Sequence, residues 1–204
     1  MDAHAHWQQV YAARQAAQRS WFRPHLEVSL ALIRRAAPDL ATPILDVGAG
    51  ESTLVDDLLA SGYTDLTILD ISEHALNHSR TRLGSAATKI TWLAADILTA
   101  KLPQHHFGLW HDRAVFHFLT SPDDRAAYVE QVTRALRPGG HVILATFAPD
   151  GPTRCSGLPV QRHDAGSILC EFGPHFRLNA TTTELHTTPS GATQPFVYCD
   201  LLLA

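Results

Sequence analysis

The sequence predicts an α/β protein with a single doubly wound domain and a mostly parallel sheet. Short apolar runs alternate with helical patterns from residue 44 to residue 145, an order that builds a parallel sheet with helices on both faces. The runs are continuously apolar, as expected for strands that are buried on both sides. Near the end of the chain, two strand-like runs have no helical pattern between them, which predicts an antiparallel pair at one edge of the sheet.

The N-terminal segment from His4 to Ala37 is predicted to be helical. Its second helix carries an apolar stripe with the spacing i, i+4 and i+7. The stripe consists of Leu26, Leu30 and Ile33. Pro24 suits the first turn of this helix, where its missing N–H costs nothing, and Pro38 is expected to end the helix.

Five strands and three helices are predicted in the middle of the chain. The strands are Ile44–Val47, Leu66–Leu69, Ile90–Leu93, Phe107–His111 and Val142–Ala145. The helices are Ser52–Ala60, Ser72–Leu83 and Pro122–Leu136. Ser72 is expected to cap the second of these helices and Gly84 to end it. The antiparallel pair is predicted at Phe176–His186 and Phe196–Leu203, on either side of a turn at residues 189–191.

The composition argues against several classes of protein. The net charge is −4 and no basic block stands out, so a nucleic-acid partner is not expected. The sequence contains no run of about 18 apolar residues, so no membrane span is expected. The first residues do not resemble a secretion signal. The three cysteines are odd in number and widely spaced, which favours free thiols in a reducing cytoplasm.

The 13 histidines do not predict a metal site. Four of them crowd one region, namely His105, His106, His111 and His117. Their spacing matches no zinc pattern, and no cysteine pair accompanies them. We therefore expect no bound metal.

A glycine turn at residues 48–50 lies between the first predicted strand and the following helix. Glycine allows a tight turn and the close approach of a ligand to the backbone. Thr53 stands where a dinucleotide fingerprint has its third glycine, and Glu51 places a carboxylate at the helix start, where a pyrophosphate prefers none. S-adenosylmethionine has a positive sulfonium and no phosphate, so the turn favours this ligand over NAD.

Two aspartates follow the next two strands and suit the rest of such a nucleoside. Asp70 ends the second strand about twenty residues past the turn, where an acidic side chain can accept both hydrogen bonds of a ribose diol. Asp70 could instead cap the next helix, although Ser72 can do so alone. Asp96 could bind the adenine amino group while Ile97 packs on the ring, or it could be a surface-loop aspartate.

Together these motifs resemble those of class I S-adenosylmethionine-dependent methyltransferases, over residues 44–147. The residues that carry the resemblance are Leu45–Gly50, Thr67–Ser72, Ala95–Ile97 and Leu136–Gly140, the last before a fifth strand. The resemblance implies a Rossmann-like, seven-stranded sheet whose last strand is antiparallel, and it implies S-adenosylmethionine as cofactor with S-adenosylhomocysteine as product. The cofactor-binding residues expected from the residues and the resemblance are Trp21, Asp46, Gly48, Ala49, Gly50, Asp70, Ile71, Asp96, Ile97 and His111.

We expect one domain over residues 1–204. Residues 1–40 would form a helical cap, 41–150 the cofactor-binding core and 151–204 the antiparallel edge. In this fold the N-terminal segment often closes over the cofactor, and an aromatic face such as Trp21 would attract the sulfonium. Trp21 could equally be a tryptophan buried against the sheet.

The flanks resemble a bacterial subgroup of small methyltransferases without an assigned substrate. The flanking residues are Trp7, Val10–Tyr11, Ser20–Phe22, Cys155–Val160 and His186–Gly191. A more limited similarity is to protein-lysine methyltransferases of elongation factors or citrate synthase, which carry an Asp-Lys-Gly-Thr-x-Asp segment after strand four. The matching stretch here, Asp112–His117, keeps only the first aspartate, which argues against a lysine-specific site.

Three residues near the end of strand four are candidates for catalysis. Methyl transfer is an in-line displacement, so the protein mainly positions, desolvates and sometimes deprotonates the nucleophile. His117 could act as a general base, or it could line a helix face. Asp112 could orient the nucleophile or pair with Arg113, and Arg113 could bind an anionic substrate. His111 could take part in the reaction or pack on the cofactor.

The sequence therefore predicts methyl transfer to a nucleophilic O, N or S atom of a small molecule. A protein-lysine methyltransferase is the alternative of the same class. A nucleotide-binding oxidoreductase and a cofactor-binding module that has lost catalysis are the alternatives of other classes. The missing third glycine argues against the oxidoreductase. The sequence does not specify an oligomeric state.

Overall fold

The computed structural model of the chain describes residues 2–13 and 16–204, and these residues build a seven-stranded sheet with helices on both faces. The strands of this sheet are β1 (Ile44–Val47), β2 (Leu66–Asp70), β3 (Ile90–Ala94), β4 (Phe107–Arg113), β5 (Leu136–Phe147), β8 (Phe176–Thr187) and β9 (Thr193–Leu203). The short strands β6 (Arg154–Cys155) and β7 (Leu158–Pro159) form a separate hairpin. The predicted α/β fold is confirmed.

The strand order is β3-β2-β1-β4-β5-β9-β8. The first five strands are parallel, and β9 lies antiparallel between β5 and β8. The last strand is therefore antiparallel, as the resemblance implies. The order reverses between β1 and β4, and in open α/β sheets ligands bind beside the carboxyl ends of the strands at such a point.

The helices divide between the two faces of the sheet. They are α1 (Ala3–Ala13), α2 (Glu27–Ala36), α3 (Leu54–Ala60), α4 (Glu73–Leu83), α5 (Pro122–Ala135) and α6 (Ala165–Phe172). Apolar side chains of α2, α3 and α4 belong to one buried cluster, and those of α5 and α6 belong to another. Every residue of β1 and β2 is buried, which is the physical reason why most of their side chains are apolar.

The predicted caps of α4 are confirmed. The Ser72 side chain accepts a hydrogen bond from the Ala75 amide, and Gly84 follows the helix with a φ of 57°. Such a positive φ is unfavourable for a residue with a Cβ, so glycine suits the end of this helix.

The N-terminal segment is less helical than the sequence predicts. Residues 16–26 include a 3-10 turn at Ala16–Gln18 and then a loop. Helix α2 begins only at Glu27, so Pro24 precedes the helix and is not in its first turn. The Pro24 carbonyl accepts a hydrogen bond from the Thr53 hydroxyl at 2.7 Å. This bond holds the loop against the residues after β1, which is a contact that local periodicity does not reveal.

Helix α6 was not expected from the sequence. It begins with a capping box, in which the Asp164 side chain accepts from the Ser167 amide and the Ser167 hydroxyl accepts from the Asp164 amide. Ile168 and Phe172 bury its apolar side, and Gly173 follows it. Leu136, expected to end α5, is instead the first residue of β5. Within the ranges 2–13 and 16–204, no helix has the length and apolarity that a membrane crossing requires.

Candidate active site

Two adjoining cavities open at the carboxyl ends of the parallel strands. The larger cavity has a volume of about 390 Å³ and the smaller one about 60 Å³. Residues lining both are Trp21, Val47, Gly48 and Arg113. Of the residues expected to bind cofactor, the larger cavity also has Asp70, Ile71, Asp96 and Ile97, and the smaller one has Asp46, Ala49 and His111.

The glycine turn leaves no room for side chains. Gly48 has a φ of +64° and Gly50 a φ of +55°. A Cβ on Gly48 would lie 2.0 Å from Cγ2 of Val115, and a Cβ on Gly50 would lie 2.3 Å from the Tyr11 hydroxyl. The glycines thus let the chain turn while Val115 and Tyr11 close in from two sides.

Asp70 joins the glycine turn to the start of α4. Its carboxylate accepts from the Gly50 amide at 2.8 Å and from the Ser72 amide at 2.7 Å. Gly50 therefore faces Asp70 and is not among the residues that line the cavities. Ser72 caps α4, yet Asp70 is not left free, because each of its oxygens already accepts one bond. Each oxygen retains a second acceptor site towards the larger cavity.

Burial raises the pKa of the Asp70 carboxyl to about 6, against the opposing effect of the two amides that it accepts from. A ligand hydroxyl that donates to this carboxylate would favour its charged form. The side chain is 3% exposed, so such a ligand would meet a largely desolvated acceptor.

Asp96 and Ile97 form the far wall of the larger cavity. The Asp96 carboxylate accepts from the Leu98 amide at 2.9 Å, which fixes the side chain in the loop after β3. Ile97 is 5% exposed, and Ile71 follows the carboxyl end of the neighbouring strand β2 and lines the same cavity. These residues come from two neighbouring strands, and the topology brings them together as the sequence predicts.

Four aromatic rings close the larger cavity from above. They are Trp7, Tyr11, Trp21 and Phe118, with centroid separations of 5.0 to 6.3 Å between contacting pairs. Gln8 holds α1 in place, since its side-chain oxygen accepts from the Ser72 hydroxyl at 2.7 Å. Sequence reasoning did not assign Trp7 and Tyr11 to the site, although their i, i+4 spacing puts both rings on one face of α1.

His111 links three elements at the smaller cavity. Its Nδ1 lies 2.7 Å from the Asp46 carboxylate and its Nε2 lies 2.9 Å from the Ser29 hydroxyl. Both ring nitrogens are engaged and the side chain is buried, so His111 ties β1 and β4 to α2. The hydrogen bond to His111 also orients the Asp46 carboxylate beside the cavity.

Glu51 is not an unpaired acid at the helix start. It forms an ion pair with Arg19, and both side chains are less than a tenth exposed. Because Arg19 neutralises the Glu51 carboxylate, the charge of Glu51 disfavours a pyrophosphate less than the sequence suggests. The absence of a third glycine at Thr53 is unaffected.

Asp112 lies on the opposite face of the sheet from His111 and Arg113. Successive side chains of a strand point to opposite faces. The Asp112 carboxylate accepts from the Val115 and Phe116 amides at 2.8 and 3.1 Å and from the Tyr128 hydroxyl at 2.6 Å. It lines neither cavity and does not pair with Arg113. These contacts close the turn after β4 and anchor that turn to α5. The carboxylate is therefore not directed at a methyl acceptor.

His117 is fully buried between the rings of Phe118 and Phe147, with centroids 4.5 and 4.7 Å away. Desolvation, assisted by the charges of Arg113 and His163, lowers its pKa to about 3. It lines neither cavity, so its surroundings do not support the role of general base. The sequence predicts that His117 lies about one turn past strand four, but it does not indicate on which side of that turn the side chain lies.

The buried Asp112 carboxyl predicts a pH dependence of stability. Burial raises its folded-state pKa to about 6, above its ordinary value of 3.8. Because the folded chain then binds the proton more tightly than the unfolded chain, this group lowers stability as pH rises from about 4 to about 6. Relative to Asp112→Asn, the wild type should lose stability over this range in urea unfolding. The control variant Asp123→Asn, on the exposed first turn of α5, should show the same pH dependence of stability as the wild type. If the stabilities of wild type and Asp112→Asn changed in parallel with pH, the raised pKa of Asp112 would be wrong.

Six further residues that line the larger cavity differ in character from Asp70 and Asp96. They are Trp21, Arg113, Val115, Phe118, Cys155 and Leu158. The β6–β7 hairpin supplies the last two, and burial raises the pKa of the Cys155 thiol. The acidic residues that line the same cavity are Asp70, Asp96 and Asp124. We call these six residues the acceptor end.

Comparison with known proteins agrees with this geometry. Residues 44–140 match the family model of a methyltransferase domain. The chain is 23% identical over 213 residues to the mouse eEF1A lysine and N-terminal methyltransferase, covering 95% of this chain and 30% of the relative. It is 32% identical over 115 residues to an uncharacterised methyltransferase of Mycobacterium tuberculosis, covering 56% of this chain and 54% of the relative. The chain thus spans about a third to a half of the length of these relatives.

Solved structures show the same fold. The N-methyltransferase NodS of Bradyrhizobium japonicum, in complex with S-adenosylhomocysteine, superimposes with a TM-score of 0.75 at 16% identity, covering 99% of both chains. The 1,6-didemethyltoxoflavin N1-methyltransferase of Burkholderia thailandensis gives a TM-score of 0.71 at 16% identity, covering 99% of this chain and 84% of the other. At such identities the likeness establishes the fold.

Proposed function

We infer, from the class I S-adenosylmethionine-dependent methyltransferase domain that this chain carries, that the protein transfers a methyl group to a nucleophilic O, N or S atom of a small molecule. The carrying observation is the acceptor end, which is walled by aromatic and aliphatic side chains and by one guanidinium. A guanidinium repels an ammonium group, so these side chains would suit an apolar or anionic acceptor better than the ammonium group of a lysine.

The cavities fit the cofactor. Gly48 lines both cavities, and a Cβ at this position would collide with Val115. The volume of the larger cavity is within the range typical of small-molecule sites, which is about 300–1,000 Å³. Asp70 would hold the ribose, and Asp96 with Ile71 and Ile97 would hold the adenine. Asp46 and Ala49 would face the amino-acid end. When bound, the sulfonium supplies an electrophilic methyl group and leaves as a neutral thioether.

The chain would accelerate the reaction mainly by positioning and desolvation. Trp21, Val115 and Phe118 would exclude water from the acceptor and hold its nucleophile against the glycine turn. His111, the histidine that lines the smaller cavity, has both ring nitrogens engaged by Asp46 and Ser29. A nucleophile that is already unprotonated, or that loses its proton to water, needs no further base from these residues.

We propose that residues 1–204 act as one domain. Residues 1–40 would cap the site, 41–150 would bind the cofactor and 151–204 would complete the sheet and the acceptor end. Support comes from Trp7, Tyr11 and Trp21, which reach the larger cavity from the N-terminal part, and from Cys155 and Leu158, which reach it from the C-terminal part.

A protein-lysine methyltransferase is the second candidate. The eEF1A lysine and N-terminal methyltransferase of the mouse aligns with 95% of this chain, which favours this alternative. Against it, His117 replaces the second aspartate of the lysine-type segment, and this histidine is buried and without charge near neutral pH.

Label transfer from methyl-labelled S-adenosylmethionine into a whole lysate, sorted by molecular size, distinguishes the candidates. We expect label in the low-molecular-mass fraction, and none when an Asp70→Ala variant replaces the wild type. Label in a protein band would overturn the small-molecule assignment in favour of the second candidate. Binding of S-adenosylhomocysteine without any transfer would indicate a cofactor-binding module without catalysis.

A further inference from the structure

The Arg113 guanidinium is held rigidly where the two cavities meet. Its side chain is 5% exposed and lines both cavities. Nε donates to the Tyr198 hydroxyl at 3.0 Å and Nη1 donates to the Trp21 carbonyl at 3.3 Å. The group also stacks over Phe196, 4.5 Å from the ring centroid. These contacts fix the guanidinium in one orientation.

Nη2 of Arg113 is buried without a hydrogen-bond acceptor in the described part of the chain. The Glu184 carboxylate lies 3.7 Å away, close enough for an ion pair but too far for a hydrogen bond. A buried N–H without an acceptor costs free energy, and more so when the group is charged. An arginine held in this way is typical of a site completed by a ligand.

Arg113 shares its carboxylate neighbour with a second guanidinium. Glu184 faces Arg23 at 3.5 Å as well as Arg113 at 3.7 Å, and Arg23 also pairs with Glu27 at 3.0 Å. The Tyr198 hydroxyl donates to the Glu184 carboxylate at 2.8 Å, and burial raises the Tyr198 pKa to about 12, so this group stays neutral. The Glu184 carboxylate is thus divided among three donors and leaves Arg113 Nη2 without a hydrogen bond.

We propose that the Arg113 guanidinium binds a carboxylate of a small molecule at the junction of the two cavities. The proposal rests on the proposed function and names the chemistry that completes this site. A guanidinium with fixed orientation recognises carboxylates better than a flexible ammonium does, and the low-dielectric surroundings strengthen the contact. The carboxylate belongs either to the amino-acid part of the cofactor or to the acceptor, since Arg113 faces both cavities.

The first arm of the test asks whether the cofactor supplies the carboxylate. Calorimetry would compare S-adenosylhomocysteine with 5′-methylthioadenosine, which lacks the amino-acid carboxylate, on wild type, Arg113→Gln and Arg113→Lys. If the cofactor supplies the carboxylate, Arg113→Gln weakens the binding of S-adenosylhomocysteine by about tenfold or more and leaves the affinity for 5′-methylthioadenosine unchanged. Arg113→Lys retains the charge and should recover part of the loss. Arg35→Gln, at a half-exposed arginine beside Asp200, is the matched control.

The second arm asks whether the acceptor supplies the carboxylate. Wild type and variants saturated with S-adenosylhomocysteine would be titrated with benzoate and with benzamide, and binding would be followed by intrinsic tryptophan fluorescence, to which Trp7 and Trp21 at the cavity contribute. If the acceptor supplies it, the wild type prefers benzoate by about tenfold and Arg113→Gln loses this preference.

Unchanged ligand preferences in both arms would overturn the proposal, including the case in which benzoate binds no variant. Thermal unfolding of each variant verifies that it is folded, and Arg113→Lys carries the test if Arg113→Gln is not. A wild type that fails to bind S-adenosylhomocysteine would defeat the proposed function itself. Binding that is indifferent to position 113 would defeat only this inference.

Discussion

Asp70→Ala is expected to weaken the binding of S-adenosylhomocysteine by about a hundredfold or more, which corresponds to about 2.7 kcal/mol. The substitution removes the proposed acceptor of two ribose hydroxyls, and hydrogen bonds to a charged group contribute about 1.5–3 kcal/mol each. It also removes the acceptor of the Gly50 and Ser72 amides, which hold the glycine turn against α4. Isothermal titration of the variant with S-adenosylhomocysteine measures the loss.

Asp65→Ala is the matched control for this prediction. Asp65 directly precedes β2, at the end opposite to Asp70, and it lines neither cavity. Its removal should leave the affinity at the wild-type value. If Asp70→Ala also bound S-adenosylhomocysteine normally, the nucleoside would have to lie elsewhere, and the assignment of the larger cavity would be wrong.

Gly48→Ala is expected to reduce both stability and cofactor affinity. A residue with a Cβ at a φ of +64° is strained by about 1 kcal/mol or more, and the new Cβ would meet Val115 at 2.0 Å. Overpacking of a filled site typically adds a loss of about 1–3 kcal/mol. Urea unfolding should therefore show a loss of about 2–4 kcal/mol, the sum of these two terms.

Gly139→Ala separates the two contributions. Gly139 has a φ of +74°, but a Cβ there would meet nothing within 4 Å. This variant should lose only the conformational part, about 1 kcal/mol. The double variant Gly48→Ala/Val115→Ala should regain the steric part. Equal losses for Gly48→Ala and Gly139→Ala would show that Val115 does not restrict the turn.

The strands, and the convergence of the residues proposed to bind the cofactor, could be predicted because both follow from local rules. Buried parallel strands are mostly apolar, and β1 and β2 follow that rule at every position except Asp46, Thr67 and Asp70. The side chains just after such strands share one edge of the sheet. The positions of Asp70 and Asp96 along the chain are therefore enough to place both in one cavity.

The positions of the residues expected to take part in catalysis could not be predicted. Asp112 and His117 are close in sequence to the site, but one lies on the other face of the sheet and the other lies inside the core. Helix α6 was missed although the residues of its capping box and the glycine after it are present in the sequence. The apolar stretch between them is only eight residues long, and short segments carry little periodicity.

The order of strands and helices, the glycine turn and the acids that follow β2 and β3 are determined by the sequence itself, because periodicity and turn chemistry depend on neighbours along the chain. Only the tertiary structure decided the partners of the charged side chains. Glu51 meets Arg19 from 32 residues away, and Arg113 meets Tyr198 from 85 residues away. Such pairs depend on which surfaces pack together, so the protonation, charge and availability of each group arise only after the chain has folded.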